Sequence, residues 1–573
     1  MTKSRRIVPC ALLPAMIAIT LVLPSFGAQN TAAKRPKTTS KTASITAGGV
    51  KVAFGPRGFT SVKVDGDEFL ADGQPQVKSV RFTGLDGTAR EREIGRYMTF
   101  LGFGGRLVTH SYKWGSVGYI YKPTANGVDI DATITNTSPD VLSGIMVQFL
   151  SLRPTGKTTF RDGVRAGSGV DSPTAVQFDD GKHTLAIVNE DLSRPLYAGF
   201  PAGDDKKPAT TLPLLAATYH ADIFPHPWLG APHIDRPIYP GESDHLHISL
   251  RAARTPAGGK QLDLCRDVEN KYAAAFPQRL VWKDRRPIGY LNLCTTAPHP
   301  DNGRNPRGWF NNDPAVDVTT DDGRKELGRR LLALADSSIP HLKATNAQGV
   351  IIWDSEGQEY PHAMSYIGDP RHLPPEMEPI ADQFFQKFRD AGLRVGVCLR
   401  PQKPMKTVYG DVAEQVQVVD DVYNLNDKIA YAKKRWGCTL FYVDSNVHFD
   451  PAGRPDDEKA YELLPASLFE QAAKANPDVL LIPEQQTTRY YAYGAPYDEL
   501  RQGTAATPES VRRVYPGSFT VISVATDTSG GPLDTRRTEL VDAVRHGDIL
   551  LFRAWYETPE MKPVQEIYRA AGR

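Results

Sequence analysis

Cysteine is scarce, five in 573 residues. Cys10 lies in an apolar leader, too early after Val8-Pro9 for a lipidation site. Cys265, Cys294, Cys398 and Cys438 lack the paired spacing of a metal-ligand set. Cys294 and Cys398 fall inside apolar strand-like runs, which favours small buried side chains; an exported chain permits a disulfide without requiring one. Neither a His-x-x-x-His with its Glu nor an EF-hand loop occurs, so no metal is expected, and nothing calls for a cofactor. A surplus of one charge is also missing. The formal net charge is +2, and without Lys3, Arg5 and Arg6, 65 basic residues face 66 acidic ones. That balance gives no reason to expect nucleic acid or an anionic membrane as partner. No Gly-x-Ser-x-Gly is present, which argues against an esterase elbow. No glycine-rich phosphate loop follows any strand-like run, which argues against a doubly wound nucleotide fold. Beyond residue 23 no apolar run approaches the length of a membrane span.

What is present begins with a leader. Lys3-Ser4-Arg5-Arg6 is followed by an apolar run, Ile7 to Leu23, and by small residues around Ser25-Phe26-Gly27-Ala28. This is the pattern of a signal peptide over 1–28 and implies export to the periplasm or outside the cell. The alternative is an uncleaved N-terminal anchor, against which Pro9 and Pro14 interrupt the run and Pro24 ends it. Residues 29–42 are polar, basic and aperiodic, a flexible linker.

A chain of this length exceeds one core, and its 40% hydrophobic and 23% charged residues are ordinary for a globular protein. From 43 to 255, short runs are punctuated by glycine. Val128, Ile130, Ala132 and Ile134 alternate with Asp129, Asp131, Thr133 and Thr135; Leu246, Ile248 and Leu250 repeat the period. This predicts an all-β sandwich. Residues 256–285 form a connector with a helix near 262–275. From 286 to 573 strand and helix alternate. Strands are expected at 287–294, 349–354, 393–401, 439–444, 479–484, 518–527 and 548–556, with a short sixth near 499–502. Helices are expected near 323–342, 377–391, 426–436, 458–475 and 538–545. Eight such units make a parallel (β/α)8 barrel of the TIM type, in an α/β fold class.

Barrel enzymes carry their chemistry at the C-terminal ends of the strands. Here those ends supply Asp354 and Glu356 (second), Arg400 and Gln402 (third), Asp444 and Asn446 (fourth), Glu484, Gln485 and Arg489 (fifth), Asp527 (seventh) and Trp555 (eighth). A purely structural barrel would carry fewer carboxylates there, since each costs desolvation. Glycoside hydrolysis needs this inventory: one carboxylate at the anomeric carbon and a second that protonates the leaving oxygen. Asp444 and Glu484 lie on consecutive strands, close enough for a retaining pair. Trp353, Trp555, Tyr490 and Tyr491 could stack on sugar rings. Asp354, Glu356, Arg400, Gln402, Asn446, Gln485 and Arg489 could read hydroxyls, with His362 and His448 as lesser candidates.

Asp at strand four, Glu at strand five and Asp at strand seven resemble the α-amylase superfamily of retaining glycoside hydrolases and the related endo-α-N-acetylgalactosaminidases. The resemblance implies Asp444 as nucleophile, Glu484 as general acid/base and Asp527 as transition-state stabiliser. The barrel is also similar to the α-galactosidases: an acidic strand-two end (Asp354), Gly392-Leu393-Arg394-Val395-Gly396 at strand three, Asp444-Ser445-Asn446 at strand four and a β-sandwich before the barrel. Tyr442 stands where the amylase pattern has Arg, and Asp354-Ser355 where the galactosidase pattern has paired Asp. In the galactosidase scheme the acid lies on strand six, so a strand count off by one would make Asp527 the acid. The expectation is an exported glycosidase acting on α-linked oligo- or polysaccharides; alternatives are a non-catalytic carbohydrate-binding barrel and an inverting mechanism.

Overall fold

The computed structural model describes residues 43–573 except 56–57, 71–76, 87, 91, 103–105, 126, 148–149, 154–158, 161–173, 193–197, 200–213, 217–236, 259–261, 295–301, 359–367, 402, 407–412, 417–420, 445–446, 450–460, 501–505, 526–532 and 555–559. The expected leader and linker therefore lie outside the described residues. Among the described residues no helix is long and apolar enough to cross a membrane.

The N-terminal region is antiparallel β. Its main sheet has eight strands, with the Gly127–Asn136 strand between Gly115–Thr124 and Ser243–Arg254. Alternation sets the packing: Val128, Ile130, Ala132 and Ile134 are buried, and the residues between them are half-buried. A four-stranded sheet from Ala43 to Glu68 contributes Val50, Val52 and Val62 to the same core as Val117 and Ile130 of the main sheet. This is the sandwich that periodicity predicted.

The C-terminal region is a parallel barrel. Its strands are β1 (Ile288–Asn292), β2 (Gly349–Trp353), β3 (Arg394–Leu399), β4 (Leu440–Val443), β5 (Leu480–Pro483), β6 (Tyr497–Glu499), β7 (Val521–Ser523) and β8 (Ile549–Arg553). The hydrogen-bonded order is β5-β4-β3-β2-β1-β8-β7-β6, so seven ladders run round the cylinder and β5 and β6 share none. One backbone bond, Ala495 N to Leu481 O at 2.9 Å, and a side-chain bond, Gln486 Nε2 to Asp498 Oδ2 at 2.9 Å, stitch that seam.

Helices follow the strands: α1 (Asp321–Ala344), α2 (Glu378–Asp390), α3 (Asp421–Trp436), α4 (Ala466–Ala475), α5 (Glu509–Val514), α6 (Arg537–His546) and α7 (Met561–Ala570). α1 starts where the Thr320 hydroxyl accepts from the Gly323 amide at 3.0 Å, with Asp321 and Asp322 in its first turn. α2 buries Ala381, Phe384, Phe385 and Phe388 on one face, and Phe385 stacks on Trp436 of α3 at 4.3 Å. Two expectations shift. The helix expected over 458–475 starts only at Ala466, because Tyr461–Leu463 pairs with Val447–Phe449 in a hairpin. The sixth strand lies at Tyr497–Glu499, slightly earlier than expected, and the strand count stands.

The strands sort their side chains with period two into separate clusters. Ile351, Trp353, Leu440, Tyr442, Leu480 and Ile482 point into the barrel. Val350, Ile352, Phe441, Val443 and Leu481 pack outward with the helices. The connector helix (Arg266–Ala275) joins the two regions. Arg251 of the sandwich reaches its Asp267 at 2.6 Å, and its Glu269 meets Arg513 of the barrel at 3.1 Å. The four described cysteines are buried and form no disulfide among the described residues.

Gly396 sits where β3 passes close to β4: a Cβ there would stand 2.0 Å from the Leu440 carbonyl oxygen. Gly396→Ala should cost about 2–3 kcal/mol through forced strand separation. A lowered urea midpoint is the expected reading; an unchanged one would mean that the two strands tolerate the methyl.

Candidate active site

The alternation that builds the barrel core also delivers the acids. Asp444 continues the inward series Leu440, Tyr442, and Glu484 continues Leu480, Ile482. Arg400 follows Cys398 in the same way. The ladder pairs Val443 with Pro483, so Asp444 and Glu484 are the next two residues in register; the Asp444 amide bonds Leu399 O at 2.8 Å, and the Glu484 amide bonds Val443 O at 3.0 Å.

Asp354 reaches the mouth by a different route. Strict alternation after Trp353 would send it outward, but its φ is +63°, and the Gly357 amide closes the turn onto its carbonyl at 2.9 Å. Asp tolerates the left-handed region better than most residues, and such strain clusters at functional positions. The turn keeps Asp354, Glu356 and Gln358 buried beneath the mouth. Gly357 packs so tightly on Arg307 that a Cβ would lie 2.5 Å from the Arg307 Cδ, and Arg307 is held by Glu376 at 3.0 Å.

Arg400 is the central cation. Its Nε donates to Asp444 Oδ2 at 2.6 Å, and both side chains are 7% exposed, so water screens the pair little. Burial opposes the Arg400 charge, but the Asp444 carboxylate outweighs it and holds the guanidinium above the usual arginine range. Asp354 is driven well above the ordinary carboxylate range by burial first, then by the charges of Glu356 and Asp444. Burial pushes Glu356 up to about 7, with Asp369 adding to the rise and Lys428 opposing it. Both Asp354 carboxylate oxygens, Glu356 Oε1 and both Gln358 amide atoms are buried without a hydrogen-bond partner among the described residues. Gln358 lies close enough to ease the Asp354 shift but not in hydrogen-bond geometry. Unmet polar atoms of this kind cost stability and suit a polar ligand.

Beneath Arg400 lies a brace. The fully buried Lys428 of α3 donates to the carbonyls of Arg400 at 2.6 Å and Gly368 at 3.1 Å, and the Arg400 amide bonds Gly368 O at 2.9 Å. Asn424, one turn earlier, donates to the Pro401 carbonyl at 2.5 Å. Burial pushes the Lys428 ammonium down to about 8, and Asp369, 3.7 Å away, opposes the shift. Lys428 is absent from the expected site, although the sequence holds a signal: it falls on the face of Leu425, Ile429 and Ala432, all buried.

Of the other expected residues, Gln485 is half-buried just past Glu484. Gln402, Asn446, Asp527, Trp555 and His362 lie outside the described residues, as does the side chain of His448. Arg489 is corrected: its guanidinium lies 3.8 Å over the Phe276 ring and 3.6 Å from Glu470 of α4, on the helical side of the sheet. Tyr490 and Tyr491 are likewise core residues; Tyr490 packs on Phe469 at 4.6 Å, and the Tyr491 hydroxyl bonds Gln486 at 2.7 Å. Trp353 lies inside the barrel, 4.8 Å from Tyr442. The count of strands places Asp527 after β7, so an acid on the sixth strand would be Asp498 or Glu499. Glu499 shares the inward parity of Tyr497, whose hydroxyl bonds it at 3.0 Å. Among the described residues no cluster of His, Cys, Asp and Glu is arranged to hold a metal ion.

No family model matches the sequence, and no curated protein does. Solved structures match over most of the chain at low identity. The galactosidase domain of the α-galactosidase–sucrose kinase AgaSK is 10% identical over 93% of this chain and 85% of that one, with a TM-score of 0.43. The GH36 α-galactosidase AgaB from Geobacillus stearothermophilus is 10% identical over 94% and 85%, also with a TM-score of 0.43. An α-galactosidase from Lactobacillus brevis is 9% identical over 94% and 84%, with a TM-score of 0.40. What the site can do rests on its own residues.

Two outcomes are expected. Arg400→Met strands Asp444 as a buried unpaired charge and should cost about 3–5 kcal/mol. A denaturant titration checks it. The folded protein holds the Glu356 proton more tightly than the unfolded chain, so this group makes stability fall as pH rises from 4.5 to about 7, with no further change above that. Glu356→Gln should flatten that part of the stability profile.

Proposed function

We propose that the chain is an exported glycoside hydrolase that cleaves α-linked sugars with net retention, with Asp444 as nucleophile and Glu484 as acid/base. The observation that carries this reading is the shared ladder, which sets the two residues side by side on neighbouring inward-facing strands. Paired strands are about 4.8 Å apart. In-register carboxylates on them suit the roughly 5–5.5 Å spacing of retaining pairs better than the 6.5–9.5 Å of inverting ones. Arg400 gives Asp444 a counter-charge. The attacking carboxylate bonds to the anomeric carbon as Glu484 protonates the departing oxygen; Glu484 then deprotonates the water that releases the sugar. Asp354, Glu356 and Gln358 would bind hydroxyls, since among the described residues both Asp354 oxygens, Glu356 Oε1 and the Gln358 amide have no hydrogen-bond partner. The leader over 1–28 supports export, and the resemblance in the strand-end residues supports the α linkage.

One observation favours a second donor. Glu356 keeps its proton up to about pH 7 in a buried position beside Asp354, as a general acid requires.

Aryl α- and β-glycosides test the reading. Asp444→Ala should abolish turnover, and azide should rescue it with inverted product. Glu484→Ala should lose about 10²–10⁴-fold on poor leaving groups and far less on activated ones. If Glu356→Gln shows that leaving-group pattern and Glu484→Ala does not, the donor is Glu356. Sugar binding without turnover by the wild type would make the protein a lectin-like barrel, and release of the inverted anomer would exclude retention.

A further inference from the structure

The barrel's other end, at the N-terminal ends of the strands, opens into a cavity of about 540 Å³. Among the described residues, four arginines line it, Arg285 and Arg286 before β1, Arg569 in the last turn of α7 and Arg573 after that helix, beside Asn346 and Tyr568, and no carboxylate side chain does.

The nearby acids each bond an arginine, and their charges also reach Arg285 and Arg569. Asp284 bonds Arg286 at 2.8 Å and Arg394 at 2.7 Å. Asp548 is fully buried, takes Arg512 at 2.8 Å and accepts from the Thr507 hydroxyl and the Thr520 amide. Glu566 bonds Arg537 at 2.7 Å. Among the described residues, Arg285, Arg569 and Arg573 form no ion pair. Arg285 is half-buried, donates to the Trp282 carbonyl and lies 3.7 Å over the Phe519 ring. Burial, then the charge of Arg573, pushes it down to about 10, against the opposing charges of Asp548 and Asp284. Arg573 donates to the Arg545 carbonyl at 3.3 Å. Like charges gathered around a concavity, one of them half removed from water, are costly unless an anion joins them. Guanidinium groups present paired donors that match tetrahedral oxygens.

We propose that this cavity binds a tetrahedral oxyanion, a phosphate or sulfate that is either free or esterified to a sugar. The cavity has more room than one such anion fills, so a sugar ring can enter behind the charged group. The site lies away from the carboxylate mouth and does not depend on the glycosidase reading.

Calorimetric titration of the full chain at constant ionic strength tests it, with inorganic phosphate, inorganic sulfate, glucose 6-phosphate and glucose 6-sulfate as probes and chloride as reference. Saturable binding of at least one oxyanion is expected, weakened about tenfold or more in the Arg569→Gln/Arg573→Gln double variant. Both residues are exposed and lie outside the mouth. Tighter binding of the free ions identifies an inorganic anion, and tighter binding of the esters a charged sugar. Heats no different from chloride, or equal affinity in the double variant, would overturn the proposal.

Discussion

The ion pair between Arg400 and Asp444 is the interaction on which the mouth of the barrel depends. Several acids converge on a small, poorly hydrated space, and their mutual repulsion must be met by a charge of opposite sign or by protons. Arg400 supplies the charge to Asp444, and burial pushes the Asp354 and Glu356 carboxyls toward their neutral forms. The site thus holds two carboxyl groups whose hold on a proton burial strengthens, in one neighbourhood with the Arg400–Asp444 pair. A buried pair of this kind adds little net stability, because desolvation cancels much of its attraction. Its value lies in holding position.

That position is held from behind. Lys428 and Asn424 tie the end of β3 through the Arg400 and Pro401 carbonyls, so the guanidinium projects from a fixed backbone. On the β2 side the Arg307–Glu376 pair performs the same service for the turn that carries Asp354. Side chains whose own backbone is fastened need little reorganisation when a substrate arrives.

Much of this was legible before any coordinates. Runs such as Leu440-Phe441-Tyr442-Val443 announce a strand buried on both faces, and the residue after such a strand in a parallel barrel is placed by fold geometry alone. Asp444 and Glu484 could be paired on that ground. Other features needed the fold. Arg489 follows a strand end, but the short 3₁₀ helix Thr488–Ala492 turns it toward Phe276 and Glu470. Asp354 depends on a left-handed backbone that no periodicity encodes. Lys428 has no strand-end position to mark it, and in the sequence only its apolar companions on the same face, Leu425, Ile429 and Ala432, point to burial. The basic cavity joins residues nearly 290 positions apart, roughly the length of the barrel domain itself, and such pairings follow from closure of the cylinder.

The seam between β5 and β6 has a mechanical consequence. Asp444 and Glu484 ride on the same pair of bonded staves, while the neighbouring stave on the far side of β5 shares no ladder with it, and Ala495 N to Leu481 O and Gln486 Nε2 to Asp498 Oδ2 are among the links there. The interruption in the ladder therefore falls on the flank of β5 away from Asp444, and the gauge between the two acids is set by the unbroken β4–β5 ladder.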